Sequence, residues 1–429
     1  MEGTKERLRR KMLLGLLKLK ALSPEQMAEY ARRNTLFHRH LYGDKRVSDF
    51  NKLPLVTKAM TRYASPYDRL SSELKDKVTW YAETTGSTGS PTPVFYTKQE
   101  FNGAYLLSLL SPYNAPLKAM LKANRTCLNG LALEFTIAGA SFADMLTKNG
   151  GLVMNAGSRS TIGPPVRIAD AIVRLKPAII AGAPLDFLCW MRIIKEDYPN
   201  EYDKVVDSLK ILFSTAELCS DSRVCQIQKE FGITHINTYA CVEGFFTLTC
   251  PCGEKHILPA YYVELFDENL KLIGEYGKGR ICVTNLLKKS TPFVRYLLDD
   301  LVIISPSTCS YGFKKSVIPK GRYELSVKIN NELYNVADFE EIIFKYGLFG
   351  DYRVLLFDDR IEVELEGYGK IDQLSNLEKE MEKEFGLSAK AKLLPFSTIT
   401  PYREVRVSKP ILKLTDKRAS STQEIPEVL

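Results

Sequence analysis

The chain has 429 residues, a formal net charge of +8, 45% hydrophobic and 26% charged residues, nine cysteines and four histidines. This is enough apolar material for two or three globular domains, and it excludes a collagenous, low-complexity or mainly disordered chain. No stretch approaches the length of a membrane span, and the charged N-terminus carries no secretory core with a cleavage site. An odd cysteine count without such a leader leads us to expect a reducing, cytoplasmic setting and no disulfide framework. The cations are densest over Lys5 to Lys20, which reads as a solvated helix face. Their mild excess elsewhere does not form the basic stripe of a nucleic-acid binder, so neither a nucleic-acid nor a membrane partner is expected.

Residues 1–52 read as helices, with Leu13, Leu14, Leu16, Leu17 and Leu22 on an apolar side and Ser23-Pro24-Glu25-Gln26 as a helix start. Trp80-Tyr81-Ala82 reads as a short strand, and Thr84 to Pro93 is almost wholly Thr, Ser, Gly and Pro. Between Glu100 and Asn237, helix-like windows (101–110, 167–175) alternate with short apolar runs (178–181, 211–214). That alternation predicts an α/β core with a largely parallel sheet. Strands over 261–266, 279–284 and 301–304 then predict a β-rich subdomain. Beyond Lys320 the order is strand (324–329), helix (336–345), strand (352–358), strand (360–366), helix (371–385) and strand (389–394), which predicts a compact α+β unit. The expected organisation is a large α/β domain over 1–320, a small mobile α+β domain over 321–418 and a loose tail over 419–429.

Thr84-Thr85-Gly86-Ser87-Thr88-Gly89-Ser90-Pro91-Thr92 has the chemistry to bind phosphate. Small residues let the backbone approach the oxygens, and hydroxyls and amides donate to them. The window lacks the Gly-Lys-Ser/Thr of a P-loop, and taken alone it reads equally as a flexible linker. It resembles the phosphate loop of adenylate-forming enzymes, in the form found in phenylacetate–CoA ligases. Leu53-Pro54-Leu55-Val56-Thr57-Lys58 resembles the Leu-Pro-x-x-Thr-Lys segment of the same branch.

Further motifs follow in the order that this resemblance implies. Ser214-Thr215-Ala216-Glu217 resembles the segment lining the adenine side of the nucleotide pocket. Tyr239-Ala240-Cys241-Val242-Glu243 resembles Tyr-Gly-x-Thr-Glu, which implies that Tyr239 packs on the nucleotide and Glu243 ligates magnesium. Ala240 and Val242 depart from the pattern, and Val242 removes a hydroxyl near the acyl group. Pro292-Phe293-Val294-Arg295-Tyr296-Leu297-Leu298-Asp299-Asp300-Leu301 resembles Pro-x-x-Arg-Tyr-Arg-Thr-Gly-Asp-Leu. Asp300 would accept both ribose hydroxyls, and Asp299 stands where glycine is usual. Gly321-Arg322-Tyr323-Glu324 resembles the border motif of the small domain, with Arg322 on ribose or phosphate. Phe142 falls in a segment resembling the acyl pocket.

The catalytic lysine of such enzymes lies in a stretch resembling 403–418, where strict alignment puts Pro410 at the lysine position. Lys409 is the first candidate and Lys413 the second. Cys250, Cys252, His256 and Cys309 form a set that could hold a structural zinc or stay as free thiols. The resemblance implies ATP, magnesium and coenzyme A as cofactors, a small carboxylic acid as substrate, and formation of an acyl-adenylate followed by a thioester. Relatives that keep AMP on a deazaflavin product or serve capsule synthesis are the alternative, as is a nucleotide-binding relative without catalysis. A homodimer is compatible with the sequence.

Overall fold

The computed structural model describes residues 4–47, 49–84, 91–158, 160–367, 371–405 and 412–419. They fall into two units that are interleaved in sequence. The first comprises Met1–Ala123, Leu133–Gly150 and Thr238–Pro319, and the second Asn124–Ala132, Gly151–Asn237 and Lys320–Leu429. The fold is mixed α/β, with one wholly parallel sheet and several antiparallel ones.

The parallel sheet lies in the second unit. Its strands run Leu152–Asn155, Thr126–Asn129, Ile179–Gly182, Ile211–Ser214 and Thr234–Asn237 in spatial order. Ile179–Gly182 and Ile211–Ser214 are buried at every position, as expected of strands covered on both faces. Helices Pro165–Leu175, Pro184–Asp197 and Asp221–Phe231 supply the cover, with Ile168, Ile172, Phe187, Trp190, Ile227 and Phe231 in the core. In chain order the strands run 2-1-3-4-5, an arrangement in which ligands bind outside the carboxyl ends. Ser214-Thr215-Ala216-Glu217 continues from one of those ends.

The C-terminal part of the same unit is a four-stranded sheet in the order Ser388–Leu394, Arg360–Glu366, Asp351–Leu356 and Leu414–Asp416. Helices Val336–Lys345 and Ile371–Phe385 bury Phe339, Ile343, Leu377, Met381 and Phe385 against it. The expected strand over 324–329 is a short 3-10 turn, Tyr323–Leu325, followed by the strand Val327–Ile329. The Ser326 amide donates to the Tyr323 carbonyl at 3.0 Å and interrupts the extended run. Gly321 precedes this turn with φ +123°, where a Cβ would lie 2.3 Å from Asn335 Oδ1. Asn335 caps helix Val336–Lys345 in a reciprocal box with Asp338, so only glycine leaves that cap in place.

The first unit holds a seven-stranded sheet in the order Leu272–Gly274, Tyr261–Phe266, Gly277–Asn285, Tyr296–Pro306, Lys315–Arg322, Lys255–Ile257 and Thr247–Thr249. Val263, Leu265, Ile281, Val283, Tyr296, Leu298 and Val302 form its core. The hairpin of Val78–Glu83 and Pro93–Thr97 frames the Thr/Ser/Gly loop. Helices Thr4–Lys20, Pro24–Asn34 and Leu36–Tyr42 precede it. The second of these opens at the Ser23 start read from the sequence, where Ser23 and Gln26 form a reciprocal capping box. The strand expected at 301–304 begins five residues earlier, at Tyr296. Asp299 and Asp300 break the apolar pattern there without breaking the strand.

Candidate functional site

The loop begins and ends on a pair of threonines. The Thr84 amide donates to the Thr92 carbonyl at 3.1 Å, and the Thr92 amide donates to Thr84 Oγ1 at 2.9 Å. Thr85, Gly86, Ser87, Thr88 and Gly89 lie outside the described residues. Thr92 Oγ1 stands 3.5 Å from Thr61 Oγ1. Both hydroxyls also hydrogen-bond with that of Tyr296. The Arg69 guanidinium donates to the Pro93 carbonyl at 2.9 Å. Arg69 is 1% exposed, and burial pulls its pKa down to about 10 against the attraction of Tyr296 and Glu243.

Two motifs more than 50 residues apart meet beside this stem. The Tyr296 hydroxyl donates to Glu243 Oε1 at 3.1 Å. Burial, then the Glu243 carboxylate, pushes the Tyr296 phenol well above its ordinary range, so it stays a donor. The Tyr239 hydroxyl donates to Asp300 Oδ2 at 2.7 Å. Glu243 sits in a tight turn closed by the Cys241 and Gly244 backbones, and its side chain is buried. A Cβ on Gly244 would lie 2.4 Å from the Tyr261 hydroxyl oxygen, which explains glycine after the carboxylate. The Val242 carbonyl accepts from the Tyr96 hydroxyl, so position 242 contributes its backbone rather than a side-chain hydroxyl.

Arg295 explains why the 53–58 and 292–301 motifs occur together. It is buried with φ +45° and forks onto Glu264 at 2.9 and 3.1 Å. Its remaining Nη donates to the carbonyls of Asn51, at 2.8 Å, and Leu53. The Val56 amide donates to the Arg295 carbonyl and the Leu297 amide to the Val56 carbonyl, at 2.8 and 2.9 Å. Lys58 then reaches Asp299 at 3.1 Å, and Arg280 reaches it from the adjacent strand at 3.3 Å. Aspartate in place of the usual glycine therefore pairs with two cations next to Asp300. Sequence reasoning missed Arg69, Arg280 and this role of Asp299. Arg69 stands in no motif, and the pairing of Asp299 needs the neighbouring strand Gly277–Asn285 and the helix Lys58–Tyr63.

The remaining assigned residues lie on other elements. Phe142 is half-buried on helix Ile137–Lys148 of the first unit. Ala216 has φ +71°, a left-handed backbone that alanine adopts at a cost of about 1–2 kcal/mol. Glu217 accepts from the Leu185 amide at 3.0 Å, in the first turn of helix Pro184–Asp197, and from Arg223 at 2.8 Å. Arg223 also faces Glu340 at 3.7 Å. Burial opposes its charge, but the two carboxylates hold its pKa well above the ordinary value. Glu340 accepts from the Ser220 amide at 2.7 Å, and Glu341 from the amides of Asp221 and Ser222 at 2.8 and 3.0 Å. Carboxylates at this helix start complement its dipole.

The Arg322 carbonyl accepts from Asn335 Nδ2 at 2.6 Å. Lys409 and Pro410 lie outside the described residues. The chain is anchored on both sides of them. Arg403 forks onto Asp197 at 2.7 and 2.8 Å, and Lys413 pairs with the buried Asp351. Lys413 is thus committed to an ion pair in this structure.

Cys250, Cys252, His256 and Cys309 come together as one cluster, with their ligand atoms all within 4.8 Å of one another. Cys309 Sγ lies 3.5 Å from Cys250 Sγ and 3.6 Å from Cys252 Sγ, and Cys252 Sγ lies 3.4 Å from His256 Nε2. Tetrahedral zinc, with bonds of about 2.3 Å to sulfur and about 2.0 Å to nitrogen, needs edges of about 3.8 and 3.5 Å. The donor set therefore fits zinc, and the sulfur separations are too long for a disulfide. His256 is fully buried, stacks on Phe313 at 4.8 Å, and turns Nδ1 to the Lys315 carbonyl at 3.3 Å, which fixes the ring.

No protein-family model matches the chain, and no curated protein matches it in sequence. Solved structures do. A 2-hydroxyisobutyryl-CoA ligase, in the postadenylation state in complex with 2-HIB-AMP, superposes with a TM-score of 0.70 at 17% identity, over 95% of this chain and 89% of that one. An acyl acid amido synthetase in complex with 2,4-DB gives 0.61 at 12% identity, over 94% and 92%. An anthranilate CoA ligase in complex with anthranoyl-AMP gives 0.52 at 13% identity, over 76% and 65%. The chain has the adenylate-forming fold. Within the adenylate-forming fold these neighbours include both CoA ligases and an amide-forming enzyme, so the fold leaves the acceptor open. Among the described residues, no helix is long and apolar enough to cross a membrane.

Proposed function

We propose that the chain is an ATP-dependent ligase that activates a carboxylic acid as its acyl-adenylate and passes the acyl group to a thiol, that of coenzyme A. The observation that carries this reading is the meeting of Tyr239, Glu243, Tyr296 and Asp300 beside the stem of the Thr/Ser/Gly loop. Asp300 can accept two ribose hydroxyls once Tyr239 turns from it to the nucleotide. Glu243, a buried carboxylate oriented by Tyr296, suits a magnesium ion bound to phosphates, which keeps most of its ligands as water. Magnesium held there would neutralise charge on the phosphoryl oxygens. Thr84 to Gly89 would cradle those oxygens, Arg69 contributes a positive field under the stem, and Lys409 would approach the α-phosphate. The resemblance adds Ala216, Glu217 and Arg322 on the nucleotide and Phe142 on the acyl group.

In the first half-reaction the carboxylate oxygen attacks the α-phosphorus and pyrophosphate leaves. In the second, the thiolate attacks the acyl carbon and AMP leaves. The 321–418 segment would turn between the two steps. Such a turn would break the Glu340 and Glu341 contacts with 220–223 and the Arg403 fork on Asp197. The cysteine and histidine cluster would hold zinc in a structural role, since all four positions are filled by protein.

Exchange of labelled pyrophosphate into ATP over a panel of aryl and fatty acids tests the reading. Acid-dependent exchange, reduced at least about a hundredfold in Glu243→Gln and Asp300→Asn, is expected. AMP release that depends on coenzyme A would identify the thiol as acceptor, and release driven by an amine would transfer the reading to amide formation. Tight ATP binding with no exchange for any acid would favour a non-catalytic relative, the reading that Pro410 at the aligned lysine position supports.

A further inference from the structure

Helix Thr4–Lys20 carries two apolar stripes on opposite sides. One, formed by Leu13, Leu14 and Leu17, packs against Leu107, Leu110 and Phe313 of the first unit. The other, formed by Leu8, Met12, Leu16 and Leu19, faces solvent with exposures of 61%, 61%, 50% and 83%. At 3.6 residues per turn these four fall in an arc of about 80°, roughly opposite Leu17. An aligned row of large exposed apolar side chains differs from scattered surface leucines, and marks an interaction surface.

The charges around the row choose its partner. Lys11, Lys18 and Arg7 flank it on one side, Arg9 and Lys20 on the other, and Lys5 stands at its N-terminal end. All six are exposed. Arg9 touches Asn114 at 3.0 Å, through a neutral amide oxygen. The only acid of the helix, Glu6, lies on the side turned to the protein. A second copy of this helix would therefore set cations against cations. An anionic bilayer surface would receive the apolar row between acyl chains and the cations among phosphates. At 17 residues the helix can lie in such an interface but not span it.

We infer that helix Thr4–Lys20 docks the protein on anionic lipid surfaces through Leu8, Met12, Leu16 and Leu19. This departs from the reading of the same cationic run as a solvated face, and it does not rest on the proposed reaction. Sedimentation of the full chain with vesicles of phosphatidylcholine and phosphatidylglycerol, and with pure phosphatidylcholine, tests it. Binding to the mixed vesicles alone is expected, weakened at least about tenfold by Leu8→Ser with Leu19→Ser and by added salt. Both leucines are exposed, so the variant should melt with the parent. Should it not, Lys11→Glu with Lys18→Glu provides the second test and is expected to abolish binding. No binding by the parent, or equal binding by a folded variant, overturns the inference. So does a concentration-dependent dimer that the leucine variant dissociates while no protein pellets with vesicles.

Discussion

Replacing Arg295 with methionine tests the claim that this side chain joins two motifs. The substitution keeps the apolar stem and removes the guanidinium, leaving Glu264 buried at 2% exposure without its counter-charge. Two backbone carbonyls, of Asn51 and Leu53, lose a donor at the same time. Breaking one side of a buried ion pair costs about 3–5 kcal/mol, roughly a thousandfold in the opening equilibrium. Hydrogen exchange of the Tyr296–Pro306 amides, followed as urea is raised, reads that equilibrium where it matters. Glu264→Gln and the double variant complete a cycle. The double variant should lose clearly less than the sum, because removing both charges leaves no orphan. Burial holds the Glu264 carboxyl above its ordinary pKa even beside Arg295, which is the sign of a site that resents an unpaired charge. A loss of protection under tenfold in Arg295→Met, or strict additivity in the cycle, would refute the reasoning.

The protein as purified should contain about one equivalent of zinc by elemental analysis, absent from Cys252→Ser, and chelation should lower its melting temperature. His38 is buried against Thr35, and burial, then Arg69, pulls its pKa down to about 3. An unfolded histidine takes its proton near pH 6.5, so the unfolded state binds the extra proton between about pH 6.5 and 3. Stability should fall as the pH is lowered through that window, by up to about 1.4 kcal/mol per unit, and urea midpoints of His38→Gln should show a shallower slope. Gly321→Ala should destabilise the second unit by at least about 1 kcal/mol, read by urea unfolding, because it strains a φ of +123° and displaces the Asn335 cap. An unchanged midpoint would show that the turn adjusts freely.

The elements with strong local signals were legible in the sequence. Strands Ile211–Ser214, Tyr261–Phe266 and Arg360–Glu366 and helices Val336–Lys345 and Ile371–Phe385 carry unbroken periodicity, and their expected bounds match the structure. The start of strand Tyr296–Pro306 was obscured by Asp299 and Asp300, polar residues that pair there with Lys58, Arg280 and Tyr239. The motif residues Tyr239, Glu243 and Asp300 could be picked out one by one, but not the hydroxyl bridges that join them. The interleaving of the units was invisible for the same reason: the contact of Glu340 with Ser220 spans 120 residues and leaves no local trace. The cysteine and histidine cluster was the exception, since Cys250, Cys252 and His256 stand at short spacing in the sequence and the structure brings them together with Cys309.

That interleaving bears on how the protein is made. The parallel sheet is complete once Asn237 has been synthesised, yet Arg223 then has Glu217 but not Glu340, and the first turn of helix Asp221–Phe231 lacks Glu341. Both arrive more than 100 residues later, after the whole strand run Thr247–Arg322 has emerged from the ribosome. The nascent sheet must wait with a buried arginine half-paired while the rest of the first unit is synthesised. A chain ending at Pro319 would stay in that waiting state, so a fragment cut at the apparent domain border is the form most prone to capture by chaperones and proteases.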